Sequence, residues 1–290
     1  MARPKLASVI VPARDSERTL GAALAGLAAQ DYGGAWEAIV VDNGSSDATP
    51  EVARRGLARL PAGRLLEAGE RRGAGPARNA GAAAARGDLL VFLDADDVPE
   101  PGWLTALVRA ADDSELVAGA LRVDALNDGS PRAGFRIPPA DRAPVAHGFL
   151  PFAYGGNCGV WTRVFDAVGG FDEEFRFGQD VDLCWRVQLA GSELGFAADA
   201  IVQRRVRSGA AAVLVQHVRI GIATVHLYSR YHSAGMSASS PGRALLSWVA
   251  LIAASPVAAL IRSVRAEWLM RLGLRVGRVA GSFRYRTFYP

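Results

Sequence analysis

Three short apolar runs limit what this chain can fold into. Leu6–Val11, Ala38–Val41 and Leu89–Leu93 are too short for stable helices, and they stop at Pro12, Asp42 and Asp94. Helical signals lie between them. Leu20, Leu24 and Leu27 predict a helix over 17–30, and residues 76–86 form an Ala-rich one. Thr49-Pro50-Glu51 opens another, with Thr49 as its cap and Pro50 at its first position. Arg64–Glu67 reads as one more strand. Strand alternating with helix across 6–110 predicts a parallel sheet covered on both faces. Open sheets of this kind bind ligands at the carboxyl edge of their strands. The chemistry is therefore expected around Pro12, Asp42 and Asp94.

Composition narrows the class. The chain has 290 residues, 50% hydrophobic and 21% charged, which is ordinary for a globular protein and excludes a disordered tail protein. A mean hydropathy near zero excludes a polytopic membrane protein. Two cysteines, Cys158 and Cys184, make neither a disulfide framework nor a metal cluster. His147, His217, His226 and His232 lack metal-ligand spacing and are read as structural or surface residues. Lys5 is the one lysine against 32 arginines, a bias read as that of a GC-rich genome.

Charge divides the chain. Residues 1–200 carry 20 basic and 28 acidic side chains, net −8, whereas residues 201–290 carry 13 and 1, net +12. Ala244–Ile261 is free of charge, and it precedes a segment in which Arg262, Arg265, Arg271, Arg275 and Arg278 interleave with Val264, Trp268, Leu269 and Leu272. The pattern is that of a basic amphipathic helix beside an apolar one. Ser247, Ser255 and Pro256 make 244–261 a poor membrane span, so it either lies on an anionic membrane surface or packs on the rest of the chain. Nucleic acid is not expected as a partner, because the tail has no recognisable binding module and the body is acidic.

Several motifs carry chemical potential. Asp94-Ala95-Asp96, after a buried strand, places two carboxylates where they can converge on one hard cation, although Asp is also common in plain turns. Asp42-Asn43-Gly44-Ser45-Ser46-Asp47 is an Asx-rich turn at the position of a nucleotide base or ribose. Gly73–Gly81 is a loop entering a helix, where backbone amides and Arg78 can hold phosphate or sugar hydroxyls. Gln179-Asp180 precedes a helical pattern (Val181, Cys184, Trp185, Leu189), so Asp180 is either a cap or a general base. Residues 124–150 read as a long loop or irregular hairpin. There is no Walker loop, no Ser nucleophile elbow and no G-x-G-x-x-G after the first strand, which excludes a dinucleotide oxidoreductase.

Together these motifs resemble the inverting glycosyltransferases of family two, which have the GT-A fold. The matching segments are Val9–Arg14, Val41–Thr49, Ala77–Gly81, Phe92–Asp97, Gly156-Asn157, Gly170–Glu173 and Gly178–Leu183, and the resemblance spans about residues 6–200. It implies an α/β catalytic domain over 1–205, with a nucleotide-sugar half to about 110 and an acceptor half from 111, followed by a helical, basic extension over 206–290. It implies a nucleoside-diphosphate-sugar donor, a manganese or magnesium ion and a hydroxyl acceptor, lipid-linked or membrane-borne, in cell-envelope glycan or glycolipid synthesis. By residue, Asp42 matches the base contact, supported by Pro12, Ala13 and Arg14. Arg78 and Asn79 match the donor-site loop, and Asp94 and Ala95 lie toward the ribose or donor sugar. Asp96, with Asp94, would hold the metal. Gly156 and Asn157 match the segment beside the donor sugar, and Asp180 matches the base. The chain departs from the family at Gln179, where Glu is usual, and at Val202-Gln203, where many relatives carry a histidine. A location on the cytoplasmic face of the cell membrane follows as an expectation. The competing readings are a catalytically silent nucleotide-sugar-binding protein, marked by Gln179, and a nucleotidyltransferase. Pro12-Ala13-Arg14-Asp15 lacks the Gly-rich basic loop that the latter requires.

Overall fold

The computed structural model describes residues 3–127, 138–206 and 209–290. It divides into two compact units. One comprises Met1–Leu126, Ile137–Pro144 and Pro151–Arg205, and the other Asn127–Arg136, Val145–Leu150 and Val206–Pro290.

The first unit follows the expected alternation: β1 (Ala7–Ala13), α1 (Leu20–Ala28), β2 (Trp36–Asp42), α2 (Thr49–Leu57), β3 (Gly63–Glu67), α3 (Ala74–Ala84) and β4 (Leu89–Leu93). It continues through β5 (Val98–Pro99), α4 (Trp103–Ala110), β6 (Leu116–Arg122), β7 (Asn157–Trp161), α5 (Thr162–Ala167), α6 (Gln179–Leu189) and β8 (Leu194–Gln203). The strands form one sheet in the order β3-β2-β1-β4-β7-β6-β8-β5. Strands β3, β2, β1 and β4 are mutually parallel. The apolar runs of β1, β2 and β4 are buried because helices cover both faces. This is a mixed α/β architecture, as the resemblance implies.

The second half of the sheet positions the site. Strand β7 runs antiparallel to β4, with Asn157 opposite Leu93, so the loop entering β7 lies at the carboxyl end of β4. Strand β6 is antiparallel to β7, and β8 is parallel to β6. Two reversals return β8 to the direction of β4, so the end of β8 reaches the same sheet edge.

Some local expectations need correction. Pro12 lies inside β1 rather than ending it. Pairing with β4 stops at Ile10 while pairing with β2 runs to Ala13, so the missing N–H interrupts no ladder on the β4 side. Thr49 is the first residue of α2 rather than its cap. Asp47 accepts from the Thr49 N–H at 3.0 Å, while the Thr49 hydroxyl accepts from the Ser16 N–H at 2.7 Å. Leu189 ends α6 and is exposed, whereas Val181, Cys184 and Trp185 are buried as their spacing predicts. The expected loop over 124–150 lies partly outside the described residues.

The second unit contains α7 (Ala210–Tyr231), a short 3-10 turn, α8 (Pro241–Leu260) and α9 (Arg262–Arg284). Helices α7 and α9 meet backbone to backbone: a Cβ on Gly277 would lie 2.1 Å from the Val218 carbonyl oxygen, and one on Gly221 would lie 2.4 Å from that of Leu274. Helix α8 turns Ala244, Leu251 and Ala258 inward, and the Trp268 indole donates to the Leu251 carbonyl at 2.9 Å. Its outer side leaves Leu245, Leu246, Val249, Ile252 and Leu260 exposed. By length and composition, α7 and α8 could each cross a membrane.

Candidate functional site

The site is built on the carboxyl ends of β2 and β4, with β1 between them, so Asp42 and Asp94 sit about 10 Å apart across the sheet edge. Asp42 is buried at the end of β2 and accepts from the Ser45 hydroxyl at 2.5 Å. Gly44 makes the following turn at φ 74°, a conformation suited to glycine. Asn43 ties this turn to the loop before α3: its amide donates to the Ala68 and Arg71 carbonyls at 2.6 and 2.8 Å and accepts from the Gly73 N–H at 2.7 Å. Pro12 and Ala13 line the neighbouring strand end, and the Ala13 carbonyl accepts from the Asn43 N–H at 2.8 Å. Arg14 is exposed and its nearest acidic partner is Asp15, at 3.7 Å.

The end of β4 holds the charge. Oxygen atoms of Asp94, Asp96 and Asp97 lie within 4.8 Å of one another. Ala95, between them, is buried. An all-oxygen donor set of this kind fits a hard divalent cation such as Mg²⁺ or Mn²⁺. Two arginines share the cluster. Arg78, buried in α3, donates to Asp94 at 2.5 Å and stacks on the Phe171 ring at 5.4 Å. Arg204, just past β8, reaches Asp94 at 3.3 Å and Asp97 at 3.1 Å and lies 5.0 Å over the Tyr154 ring. Burial raises the Asp94 pKa, but Arg78 and Arg204 outweigh it and hold the group below the usual carboxylate range. Asp97 is more deeply buried. Burial, helped by Asp94 and Asp96, overrides Arg204 and pushes its carboxyl up to about 7. One guanidinium shared among several carboxylates secures its own proton and leaves the most buried acid under-compensated.

Asp180 reaches the same cluster through two glycines. It stands in the first turn of α6 and accepts from the Gly155 N–H at 3.1 Å. Gly178, at φ 75°, occupies the cap position without a side-chain bond, so Asp180 is not the cap. A Cβ on Gly155 would lie 3.1 Å from the Arg78 guanidinium, and one on Gly156 would lie 2.4 Å from the Asp94 carboxylate. The Gly155-Gly156 backbone thus passes directly between Asp180 and the Arg78–Asp94 pair. Gln179 has a buried side-chain oxygen without a hydrogen-bond partner.

Two expected donor contacts are committed elsewhere. Asn157 is fully buried. Its amide donates to the Ala120 and Ala200 carbonyls at 2.8 and 3.0 Å and accepts from the Trp103 indole at 2.8 Å, so the core consumes the whole side chain. Asn79 donates to the Phe171 carbonyl at 2.8 Å and to Glu173 at 3.1 Å, and accepts from the Phe171 N–H at 2.9 Å. It clamps the Gly170–Glu173 loop onto α3. Asp182, one turn into α6, is also structural, pairing with Arg186 at 2.8 Å while Arg186 holds the Val168 and Gly170 carbonyls. Sequence reasoning assigned no role to Asp97 or Arg204. A third consecutive-segment carboxylate was the available signal for Asp97. For Arg204 there was none, since only the two strand reversals bring it to Asp94.

Comparison with known proteins bears on the family and the fold. Residues 8–169, more than half of the chain, match the family described as glycosyl transferase family 2. The chain is 30% identical over 186 residues to a pre-mycofactocin glycosyltransferase of Mycobacterium tuberculosis, covering 61% of this chain and 40% of that protein. It is 30% identical over 199 residues to glycosyltransferase AglE of Haloferax volcanii, covering 67% and 65%. The chain thus spans less than two thirds of the length of these relatives. Among solved structures, mannosyltransferase PcManGT from Pyrobaculum calidifontis, in complex with GDP-Man and Mn²⁺, superposes with a TM-score of 0.70 at 22% identity over 98% of this chain and 88% of that one. Residues 1–349 of S. aureus TarS with UDP-GlcNAc give 0.57 at 17% identity, covering 98% and 93%. The folds agree, the family match spans the strands that carry the acidic cluster, and the chain belongs to glycosyl transferase family 2.

Proposed function

We propose that the protein is a metal-dependent, inverting glycosyltransferase that moves a sugar from a nucleoside-diphosphate sugar to a hydroxyl acceptor. The observation that carries this reading is the convergence of Asp94, Asp96 and Asp97 with Asp180 around Gly155-Gly156. Asp42 and the Pro12–Ala13 strand end hold the nucleotide at one side of the sheet edge. Asp96 and Asp94 hold Mn²⁺ or Mg²⁺, which when bound compensates the charge of the diphosphate leaving group. Arg78 fixes the Asp94 carboxylate, so the cluster is oriented before the donor arrives. Asp180 accepts the proton of the attacking hydroxyl, and the Gly155 N–H keeps its carboxylate turned toward the donor site. A single in-line displacement inverts the anomeric centre. The protein contributes positioning and electrostatics rather than a covalent intermediate. The donor-holding part lies within residues 1–205. Residues 244–290 hold the enzyme on the cytoplasmic face of a membrane, near a lipid-linked or membrane-borne acceptor of envelope glycan or glycolipid synthesis. The +12 charge of 201–290 and the open apolar side of α8 support that placement.

The test is a melting-temperature panel of nucleoside diphosphates with Mn²⁺. One nucleotide should stabilise the wild type by mass action, and Asp96→Ala should lose the response while keeping its fold. A wild type indifferent to every nucleotide, or an unaltered response in Asp96→Ala, would overturn the assignment.

A further inference from the structure

Arg275 and Arg278 have no role in the transfer site, yet they are the most unusual charges in the second unit. They stand three residues apart on α9, so their side chains are neighbours. Arg275 Nη1 and Arg278 Nε are buried without a hydrogen-bond partner. Both residues line two cavities between α8 and α9, of about 390 and 520 Å³, and so form a shared wall. Among the described side chains lining these cavities, Glu267 is the one carboxylate, and Arg271 holds it at 2.5 Å; Tyr289 and Pro290 also line the larger cavity, and Arg278 lies 5.1 Å over the Tyr289 ring. Burial and then the neighbouring Arg278 lower the Arg275 pKa, with Tyr289 opposing them. Buried guanidinium N–H groups without acceptors are costly and call for an anionic partner.

The rest of the lining is apolar. Trp248, Val279, Phe283 and Phe288 wall the larger cavity, and Phe283 and Phe288 are 82% and 75% exposed at its rim. Across α8 from the cavity-lining Ala244 and Leu251, Leu246, Ile252 and Leu260 form a separate outer face at 69%, 70% and 85% exposure. A free inorganic anion would satisfy the arginines and leave Phe283 and Phe288 in water. An amphiphile satisfies both.

We propose that the α8–α9 cleft binds the phosphate headgroup of a membrane lipid, with Arg275 and Arg278 on the phosphate oxygens and the hydrocarbon along Trp248, Phe283 and Phe288. The inference deepens the membrane part of the proposed function and rests on that part alone. Lipid binding can fail while nucleotide binding persists, and the reverse, so the two readings fail separately.

The experiment uses the full chain. Co-sedimentation compares phosphatidylcholine vesicles with vesicles that also contain phosphatidic acid, for wild type, Arg275→Gln/Arg278→Gln and the control Arg243→Gln/Arg284→Gln. The control removes the same charge from exposed positions. Wild type should prefer the phosphatidic acid vesicles. The cleft pair should lose at least about tenfold in affinity and the control less than about threefold, because the cleft arginines are the more buried pair and carry buried N–H groups without acceptors. Soluble dihexanoyl phosphatidic acid should raise the melting temperature of wild type at concentrations where inorganic phosphate does not. Leu246→Ser/Ile252→Ser, on an exposed face and therefore safe for folding, should weaken vesicle binding while leaving the dihexanoyl response intact. Equal losses in the two arginine pairs would reduce the effect to general electrostatics and overturn the site. An equal response to inorganic phosphate would overturn the lipid as its source. Lipid-independent dimerisation that the cleft pair abolishes would assign the cleft to a second copy instead.

Discussion

Replacing Arg204 with Gln should destabilise the first unit by an amount that grows with pH. The native guanidinium is shared between Asp94 at 3.3 Å and Asp97 at 3.1 Å. Asp97 is 2% exposed, and burial pushes its carboxyl up to about 7 even beside Arg204. That value lies above the ordinary 3.8, so the folded state holds the proton more tightly than the unfolded chain. The associated stability is full below about pH 4 and is lost as pH rises through about 7. At about pH 6, Asp97 is mostly protonated in both proteins, and the variant leaves only Asp94 short of a partner. Arg78 still holds Asp94 at 2.5 Å, which limits that cost. At about pH 8.5 the native Asp97 is ionised, whereas the variant must retain the proton or bury an uncompensated charge. Retaining the proton caps the extra cost at the gap between about pH 8.5 and the Asp97 value of about 7, some 1.5 units at about 1.36 kcal/mol each, or about 2 kcal/mol. Urea unfolding in chelator, followed by the fluorescence of buried Trp103 and Trp185, measures this directly. The gap between wild type and Arg204→Gln should widen by up to about 2 kcal/mol from about pH 6 to about pH 8.5, and adding Asp97→Asn should abolish the widening. A gap that is constant with pH, or larger at the lower pH, would refute the reasoning.

Asp180→Asn should leave the melting temperature and nucleotide affinity near wild type and lower transfer by about a hundredfold or more, measured as single-turnover rate; near-normal turnover would leave Asp180 a positioning residue for the Gly155 loop. Gly156→Ala places a methyl 2.4 Å from the Asp94 carboxylate, so Asp94 must rotate away from Arg78. Mn²⁺ titration should show weakened binding, and the melt should report a loss of about 1–3 kcal/mol. Asn157→Ala strands the Trp103 indole N–H and two carbonyls in the core and should cost about 3 kcal/mol or more in urea unfolding. Its folded fraction should bind nucleotide normally, which separates a core role from a donor contact.

The sequence alone was enough for the first half of the sheet. Short apolar runs bounded by helical spacing specify β1, β2 and β4 locally, and their buried residues match the runs almost residue for residue. A carboxylate that ends a parallel strand must stand at the ligand-binding edge, so Asp42, Asp94 and Asp96 were legible as well. Sequence did not reveal strands β6, β7 and β8. The first two meet a mixed neighbourhood, and the register of β8 against β6 shifts between Gly119 and Ala120, so no clean period of two announces them. Tertiary structure alone decided which polar side chains face the site. Asn157 and Asp94 sit at facing ends of paired strands, yet one is consumed by three core hydrogen bonds and the other joins Asp96 and Asp97 in the acidic cluster beside Arg78 and Arg204. Arg204 lies 110 residues from Asp94 in sequence. It becomes a partner because two antiparallel pairings return β8 to the direction of β4, and pairing between strands distant in sequence is a property of the folded sheet rather than of any local pattern.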